Sequence, residues 1–449
     1  MTQLDEAVAR YHKHLEAEPS LAWAQHLQEQ MRAHHMAAGG RLVCPVLRPH
    51  LITHRQYAAL VKAAESLYAA IDRVKRLALE NPPLLSRMEL LPAEKMLASV
   101  EPGYPHVAVG SLLDTQLNNG SMHFLDCHAE SAAGVSYSDA LSNLFFDSPP
   151  MKDMRKRYKV TRVGGSRRLL HALLAAYKTQ GKRKFPRIAI VEMRQPFQSA
   201  PSGDYLLLAE SFRQAGYPTE VISPEQLEYR GGVLRRGDFP IDLVFRRVSV
   251  QEFLLRFDLS HPLVRAYRDG AVCVVNSFRA ELAQKRAIFD LLTDATVTAG
   301  FPTVEKKAIR DHIPWTRVVA ARDTAYGDRK VDLLEFILRN RQKLVLKPND
   351  ETTEQQMFRG WETDDAGWER ALRTAMRSPY VAQERVEPTR ALFPVLQFDR
   401  VQLREMQVDV HPHVYMGKVS GCSSRLSDAV SGFSTLAGLA PTFILETKS

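Results

Sequence analysis

Between Lys182 and Asn276 the sequence alternates short apolar runs with amphipathic stretches, and no other feature narrows the possible folds so far. Arg187 to Glu192 reads RIAIVE, too short for a helix and apolar along its centre. Tyr205 to Ala215 has helical spacing, and Thr219 to Ile222 reads as a second strand. Asp242 to Arg246 and Ala271 to Asn276 read as two more strands, with a helix between them. Strands that alternate with helices in this way build a parallel, doubly wound sheet, so the chain is expected to be α/β.

What flanks this segment differs. Leu4, Val8, Tyr11 and Leu15 recur at helical spacing, as do Tyr57, Leu60, Val61, Ala64 and Leu67, so the first hundred residues read as mostly helical. After Glu101 to His106 a hairpin is expected: His106 to Leu113, a turn at Asn118-Asn119-Gly120, then Met122 to Cys127. The later third mixes strands (343–347, 380–386, 402–410, 414–419) with helices (331–341, 364–376). A chain of 449 residues exceeds one ordinary core. The expected division is a helical region over 1–98, a second unit begun over 99–180 and resumed over 279–449, and the parallel-sheet domain over 181–278.

With 45% hydrophobic and 25% charged residues, the whole chain can fold. Its net charge of +9 favours anionic partners. The basic runs Arg155-Lys156-Arg157 and Lys182-Arg183-Lys184 are short, however, and read as a solvated surface rather than a nucleic-acid arm. Cys44, Cys127, Cys273 and Cys422 lie far apart, which indicates neither a disulfide framework nor a zinc cluster and suits a reducing cytoplasm. No segment has the composition of a signal peptide or a membrane helix.

Chemistry concentrates between Lys343 and Pro388, in KLVLKPNDETTEQQMFRG, an amphipathic helix, and SPYVAQERVEP. A strand ending in lysine can set a cation on phosphates while the backbone of a neighbouring strand holds a base by directional hydrogen bonds. Lys347-Pro348-Asn349-Asp350 followed by Tyr380 to Pro388 resembles the ATP-grasp halves of eukaryotic-type glutathione synthetases and of glutathionylspermidine synthase-like, circularly permuted ATP-grasp proteins. Phe124 to Gly134, Val275 to Arg279 followed by Gln284 to Phe289, which resembles the helix that supplies a phosphate-binding lysine, Ile313 to Arg317 and Ser424 to Ser427 match other family segments in the same order, so the resemblance covers roughly residues 100 to 445.

The resemblance implies a permuted ATP-grasp architecture around the central parallel-sheet substrate domain. It also implies an ATP- and magnesium-dependent carboxylate–amine ligase that works through an acyl phosphate on a peptide-like or polyamine-like substrate. On this basis Lys285 and Lys347 bind phosphates, Gln383, Glu384 and Val386 belong to the adenine hinge, Asp126 and Glu351 hold magnesium, and Arg425 stabilises developing charge or grips a substrate carboxylate.

Several positions depart from the family. The loop after Lys347-Pro348 is Glu351 to Met357, without the glycines whose amides cover the triphosphate. His128 stands where the family has asparagine, and Ala108-Val109-Gly110-Ser111 replaces an Arg-x-Asp pair. Near the C-terminus, Gly432 to Gly438 lacks the expected asparagine and paired glycines. These losses motivate a rival reading, a non-catalytic homologue serving as scaffold or binding subunit; a third is non-specific nucleic-acid binding through the basic surface. Asp126 with His128, and His411 with His413, also share strand faces in a way that suits a transition metal, although ordinary hydrogen-bonded histidines account for the spacing.

Overall fold

The computed structural model of the chain describes residues 2–16, 19–38, 40–106, 108–118, 120–129, 134–181, 183–194, 202–350, 357–428 and 436–447. The apolar runs IAIV, LVFR and CVV form the buried strands Ile188–Val191, Leu243–Arg246 and Cys273–Val275. With Thr219–Ile222 they make a parallel sheet in the order Cys273–Val275, Leu243–Arg246, Ile188–Val191, Thr219–Ile222. One face packs on Phe253, Leu263 and Phe278, the other on Leu173, Leu208 and Phe212. After Ile188–Val191 the chain first builds towards one edge and then returns to the other side. This reversal leaves a crevice beyond the ends of Ile188–Val191 and Leu243–Arg246, where Glu192 and Arg247 stand.

A second, mixed sheet gathers segments from most of the chain. Its order is His50–Thr53, Ala437–Thr447, Lys418–Asp428, Arg400–Tyr415, Gly110–Asn118, Ser121–His128, with Arg390–Gln397 added to Arg400–Tyr415 and Tyr158–Arg162 to Ala437–Thr447. The hairpin Gly110–Asn118/Ser121–His128 closes at Gly120, whose φ of 94° favours glycine. Residues 402–410 and 414–419, expected as separate strands, belong to a continuous strand Arg400–Tyr415 and its successor Lys418–Asp428; the turn lies at Met416-Gly417, both at positive φ. Pro412 does not break the strand because the pairing with Gly110–Asn118 occurs at Val410 and from His413 onward. Across the back of this sheet lies the helix His54–Glu80, capped by Thr53 and Gln56, which buries Leu60, Ala64, Leu67, Ile71 and Val74.

A third sheet, antiparallel, orders Thr316–Val318, Tyr380–Glu384, Leu344–Pro348, Phe358–Arg359. The helices Leu333–Arg339 and Asp365–Ala375 cover it through Leu333, Ile337, Trp368 and Leu372. The three sheets and their covering helices give the mixed α/β architecture that the sequence led us to expect. No helix among the described residues is long and apolar enough to cross a membrane.

The interior carries histidines whose titration is coupled to folding. His50 shares a hydrogen bond of 2.7 Å with Ser424 Oγ, and His413 Nε2 one of 2.9 Å with Ser423 Oγ. Burial, with Arg48 near the first and His411 near the second, pushes each pKa down to about 3. A depressed folded pKa means that the unfolded chain binds protons the fold refuses, so stability is lost as pH falls below about 6.5. Two such groups give a slope of roughly 2–3 kcal/mol per pH unit near pH 5. Urea unfolding at pH 7, 6 and 5 is expected to show the decline; a flat profile would contradict the buried neutral rings.

Candidate functional site

The polar centre forms where the second and third sheets meet. Asp126, on Ser121–His128, stands opposite Asp114 on Gly110–Asn118. Its Oδ1 accepts from Arg286 Nε at 2.5 Å, and its Oδ2 lies 3.2 Å from Lys347 Nζ. Burial opposes the charge on Asp126, but Arg286 and Lys347 outweigh it and hold the carboxyl below its ordinary range. Lys347 is the fourth residue of the buried strand LVLKP, and Pro348 ends that strand.

The strand end is stitched to a break in a helix. Residues 284–289, expected as one helical segment, are interrupted at Lys285, whose backbone is extended (φ −64°, ψ 128°) between Glu281–Gln284 and Ala287–Leu292. Arg286 N donates to Asn349 O, Ala287 N donates to Asn349 Oδ1, and Asn349 Nδ2 donates to Met88 O. The Arg286 guanidinium also donates to the carbonyls of Pro348 and Asp350. Arg286 is thereby held beside Lys347.

Lys285 points elsewhere. Its ammonium, completely buried, contacts Glu94 Oε1 at 2.9 Å, Glu281 Oε1 at 3.0 Å and Asp350 Oδ1. Burial disfavours its charge, yet Glu281, Asp350 and Glu94 prevail and keep the group protonated far above neutral pH. An ammonium has three donors, and here three carboxylates take them. Oxygens of these three side chains lie within 4.8 Å of one another, a spacing suited to a metal ion, but the lysine head fills the space between them.

Beyond Asp126 the sheet face continues with histidines. His128 Nε2 and His411 Nε2 approach Asp114 Oδ1 at 3.0 and 3.1 Å. Despite its burial, Asp114 is held well below the usual carboxylate range by these two rings and by Arg425. Arg425 is exposed on Lys418–Asp428, opposite Asp409. Asp126, His128, His411 and His413 do not assemble as a transition-metal quartet, in line with the reading of ordinary bonded histidines: Asp126 faces Arg286 and Lys347, His413 bonds Ser423, and of the four only His128 and His411 meet, on Asp114.

At the far end of Tyr380–Glu384 an open cleft of about 500 Å³ is lined by Glu384, Val386, Lys343, His123, Arg310 and Asn118, among others. Glu384 accepts from Tyr326 Oη at 2.6 Å and from Trp315 N at 3.2 Å. Gln383 faces inward instead, donating to Thr316 Oγ1 at 3.1 Å. Lys347 pairs with Val381, so the cleft at Glu384 begins three residues along the strand, about 10 Å away at roughly 3.4 Å per residue. That separation suits a nucleotide whose base and phosphates bind at opposite ends.

The fold thus brings Asp126, Lys347 and Lys285 into one region and sets Glu384 and Val386 at its cleft. Glu351 lies outside the described residues, as do the family-like segment 130–133 and positions 429–435. Arg286, Asp350, Glu94 and Asp114 were not singled out from sequence. Asp350 sat within the quoted Lys-Pro-Asn-Asp run, and an unbroken helix would have hidden the different directions of Lys285 and Arg286.

By sequence, no family model and no curated protein matches the chain. Among solved structures, a glutathione synthetase-like effector from Globodera pallida, in its apoform, aligns at a TM-score of 0.59 and 12% identity, covering 94% of this chain and 96% of that one. A putative gamma-glutamylcysteine synthetase from Methylobacillus flagellatus aligns at a TM-score of 0.43 and 12% identity, over 86% of each chain. The molecule is therefore an α/β protein with a glutathione synthetase-like fold. More particularly, nearly its whole length has the fold of the glutathione synthetase-like effector.

Proposed function

We propose that the protein is an ATP-dependent ligase that joins a carboxylate to an amine. The observation that carries this reading is Asp126 held between two cations, Arg286 and Lys347, about one nucleotide length from the Glu384–Val386 cleft. Magnesium and ATP fit the donor set. A hard carboxylate suits magnesium, and the cations released from it suit phosphate, so both existing ion pairs exchange for pairs of matching sign. Asp126 and Glu351 would hold the metal, Arg286 and Lys347 the phosphates, and the backbone near Glu384 and Val386 the base. When bound, the nucleotide supplies the phosphoryl group that activates the substrate carboxylate.

The crevice of the parallel sheet is the natural place for substrate. Arg247, almost buried, has an unbonded Nε and stacks over Tyr205 and Phe245 at 5.3 and 5.1 Å. Such an arginine suits the carboxylate of a peptide-like molecule, and Arg425 at the exposed sheet edge is a second candidate for such a grip. The four cysteines are buried free thiols, in keeping with a cytoplasmic setting.

The caging of Lys285 favours a second reading, a homologue that has kept the fold for binding alone. A thermal melt separates the two: magnesium with a non-hydrolysable ATP analogue at about 100 times its Kd adds about 2.7 kcal/mol to stability. The melting temperature is expected to rise by several degrees, and ADP release to follow when acids and amines are supplied together. An unmoved melting temperature at millimolar analogue would defeat the ligase assignment.

A further inference from the structure

The positive charge is not spread as its short runs imply. From Met154 to Val191 the sequence holds 12 lysines and arginines and no aspartate or glutamate, an excess larger than the +9 of the whole chain. The rest of the protein is therefore slightly acidic. A surface serving only solubility mixes both signs, because concentrated like charge repels itself.

The fold brings the first half of this segment onto one helix. Val135–Phe146 presents Asp139, Asn143 and Phe146 along one side, at spacings of four and three residues. Asp139 accepts from Gly165 N and Ser166 N at 2.9 and 2.8 Å, which fixes the start of the helix Ser166–Tyr177, with Arg167 and Arg168 exposed in its first turn. Asn143 Oδ1 accepts from Arg162 Nη1 at 2.7 Å, and the Phe146 ring lies under the guanidiniums of Arg155 and Arg162, at 4.0 and 4.5 Å. Seven residues of helix rise about 10 Å, so these cations form a short stripe. Glycine is needed at the corner: a Cβ on Gly164 would stand 2.7 Å from Asp139, and one on Gly165 2.9 Å from His413.

Some of the segment's charge is answered. Lys156 faces Asp153, Lys159 faces Glu446, and Arg155 lies 3.9 Å from Asp147. Among the described residues, Lys152, Arg157, Arg162, Arg167 and Arg168 make no ion pair. The stripe is remote in kind from the nucleotide site, where every cation has a carboxylate.

We propose that this stripe is a docking surface for the phosphate backbone of a nucleic acid. Arginine dominates it, and a planar guanidinium matches phosphate in two bonds at once. An anionic membrane is the less fitting polyanion, since the exposed residues from Tyr158 to Arg168 on which the stripe is built are Lys159, Thr161, Arg162, Gly164, Arg167 and Arg168, none with an apolar side chain to insert. Contact is through the backbone, so binding is expected to be tolerant of base sequence.

Fluorescence anisotropy of the full chain with labelled single-stranded and duplex oligonucleotides tests this. Binding is expected at low salt, with log K falling by roughly 0.7 to 0.9 per phosphate contact for each tenfold rise in salt. Arg157→Glu/Arg167→Glu/Arg168→Glu is expected to weaken binding more than tenfold and to flatten that slope by about 2 to 3. Lys152→Glu/Lys156→Glu, on the helix Pro149–Arg157 that also carries Arg157, is expected to weaken binding as well and so guards against a folding artefact, and Lys330→Glu on a distant hairpin should change nothing. No binding at low salt, equal binding by the triple variant, or binding of phosphatidylserine vesicles without oligonucleotides would each overturn the proposal.

Discussion

Lys285→Met is expected to unfold the protein or leave it barely stable, although lysine-to-methionine is a modest change in shape. The substitution leaves Glu94, Glu281 and Asp350 facing one another in the interior without a cation. Breaking a buried pair by removing one partner costs about 3–5 kcal/mol, against a total stability of about 5–15 kcal/mol for an ordinary domain. Adding Glu94→Gln to Lys285→Met is expected to recover part of the loss, since one stranded charge disappears. Urea unfolding of both variants measures this. A single variant whose midpoint matches the unaltered protein would show that the cage is not holding the helix break to the strand end.

The second large effect concerns binding. Arg286→Gln and Lys347→Met are each expected to weaken a magnesium–ATP analogue by about ten- to a hundredfold, because a hydrogen bond to a charged group contributes about 1.5–3 kcal/mol. Either substitution leaves Asp126 one cationic partner, so these variants should fold where Lys285→Met does not. Their effects should not add, since both cations share one carboxylate. Calorimetry decides the matter. A variant with a Kd within twofold of the unaltered protein would remove that side chain from the phosphate role.

Lys285 and Arg286 also mark how far the sequence could be read. Helical periodicity and apolar strand runs put the parallel sheet within a residue or two of its place, because RIAIVE and its companions have no other way to be buried. Collinear family resemblance brought Lys347 and Asp126 together, and they touch. The direction of Lys285 was beyond reach. It depends on an extended residue between two short helices, and on Glu94, from a helical region that shows no chemical motif. The convergence of His128 and His411 was hidden for a similar reason: it requires Asp114, fixed by the register of a hairpin with its neighbouring strand.

The resemblance assigned both Lys285 and Lys347 to phosphate, whereas counting the four carboxylates Glu94, Asp126, Glu281 and Asp350 against Lys285, Arg286 and Lys347 leaves one negative charge in excess. A triphosphate approaching that region meets an acidic balance unless a metal arrives with it. On the proposed ligase reading, nucleotide affinity is therefore expected to depend on magnesium.

The mixed sheet also constrains how the chain can be made and cut. Ala437–Thr447 is bordered by His50–Thr53, Tyr158–Arg162 and Lys418–Asp428, so segments separated by almost four hundred residues share one strand as their common neighbour. Until that strand has been synthesised, the early edges have nothing to pair with and must wait unpaired, the costliest kind of long-range closure and a slow one. Deleting the last dozen residues would then leave three strands, drawn from the beginning, middle and end of the sequence, with a raw edge. A truncated product would be recognised by its clumping rather than by its missing activity.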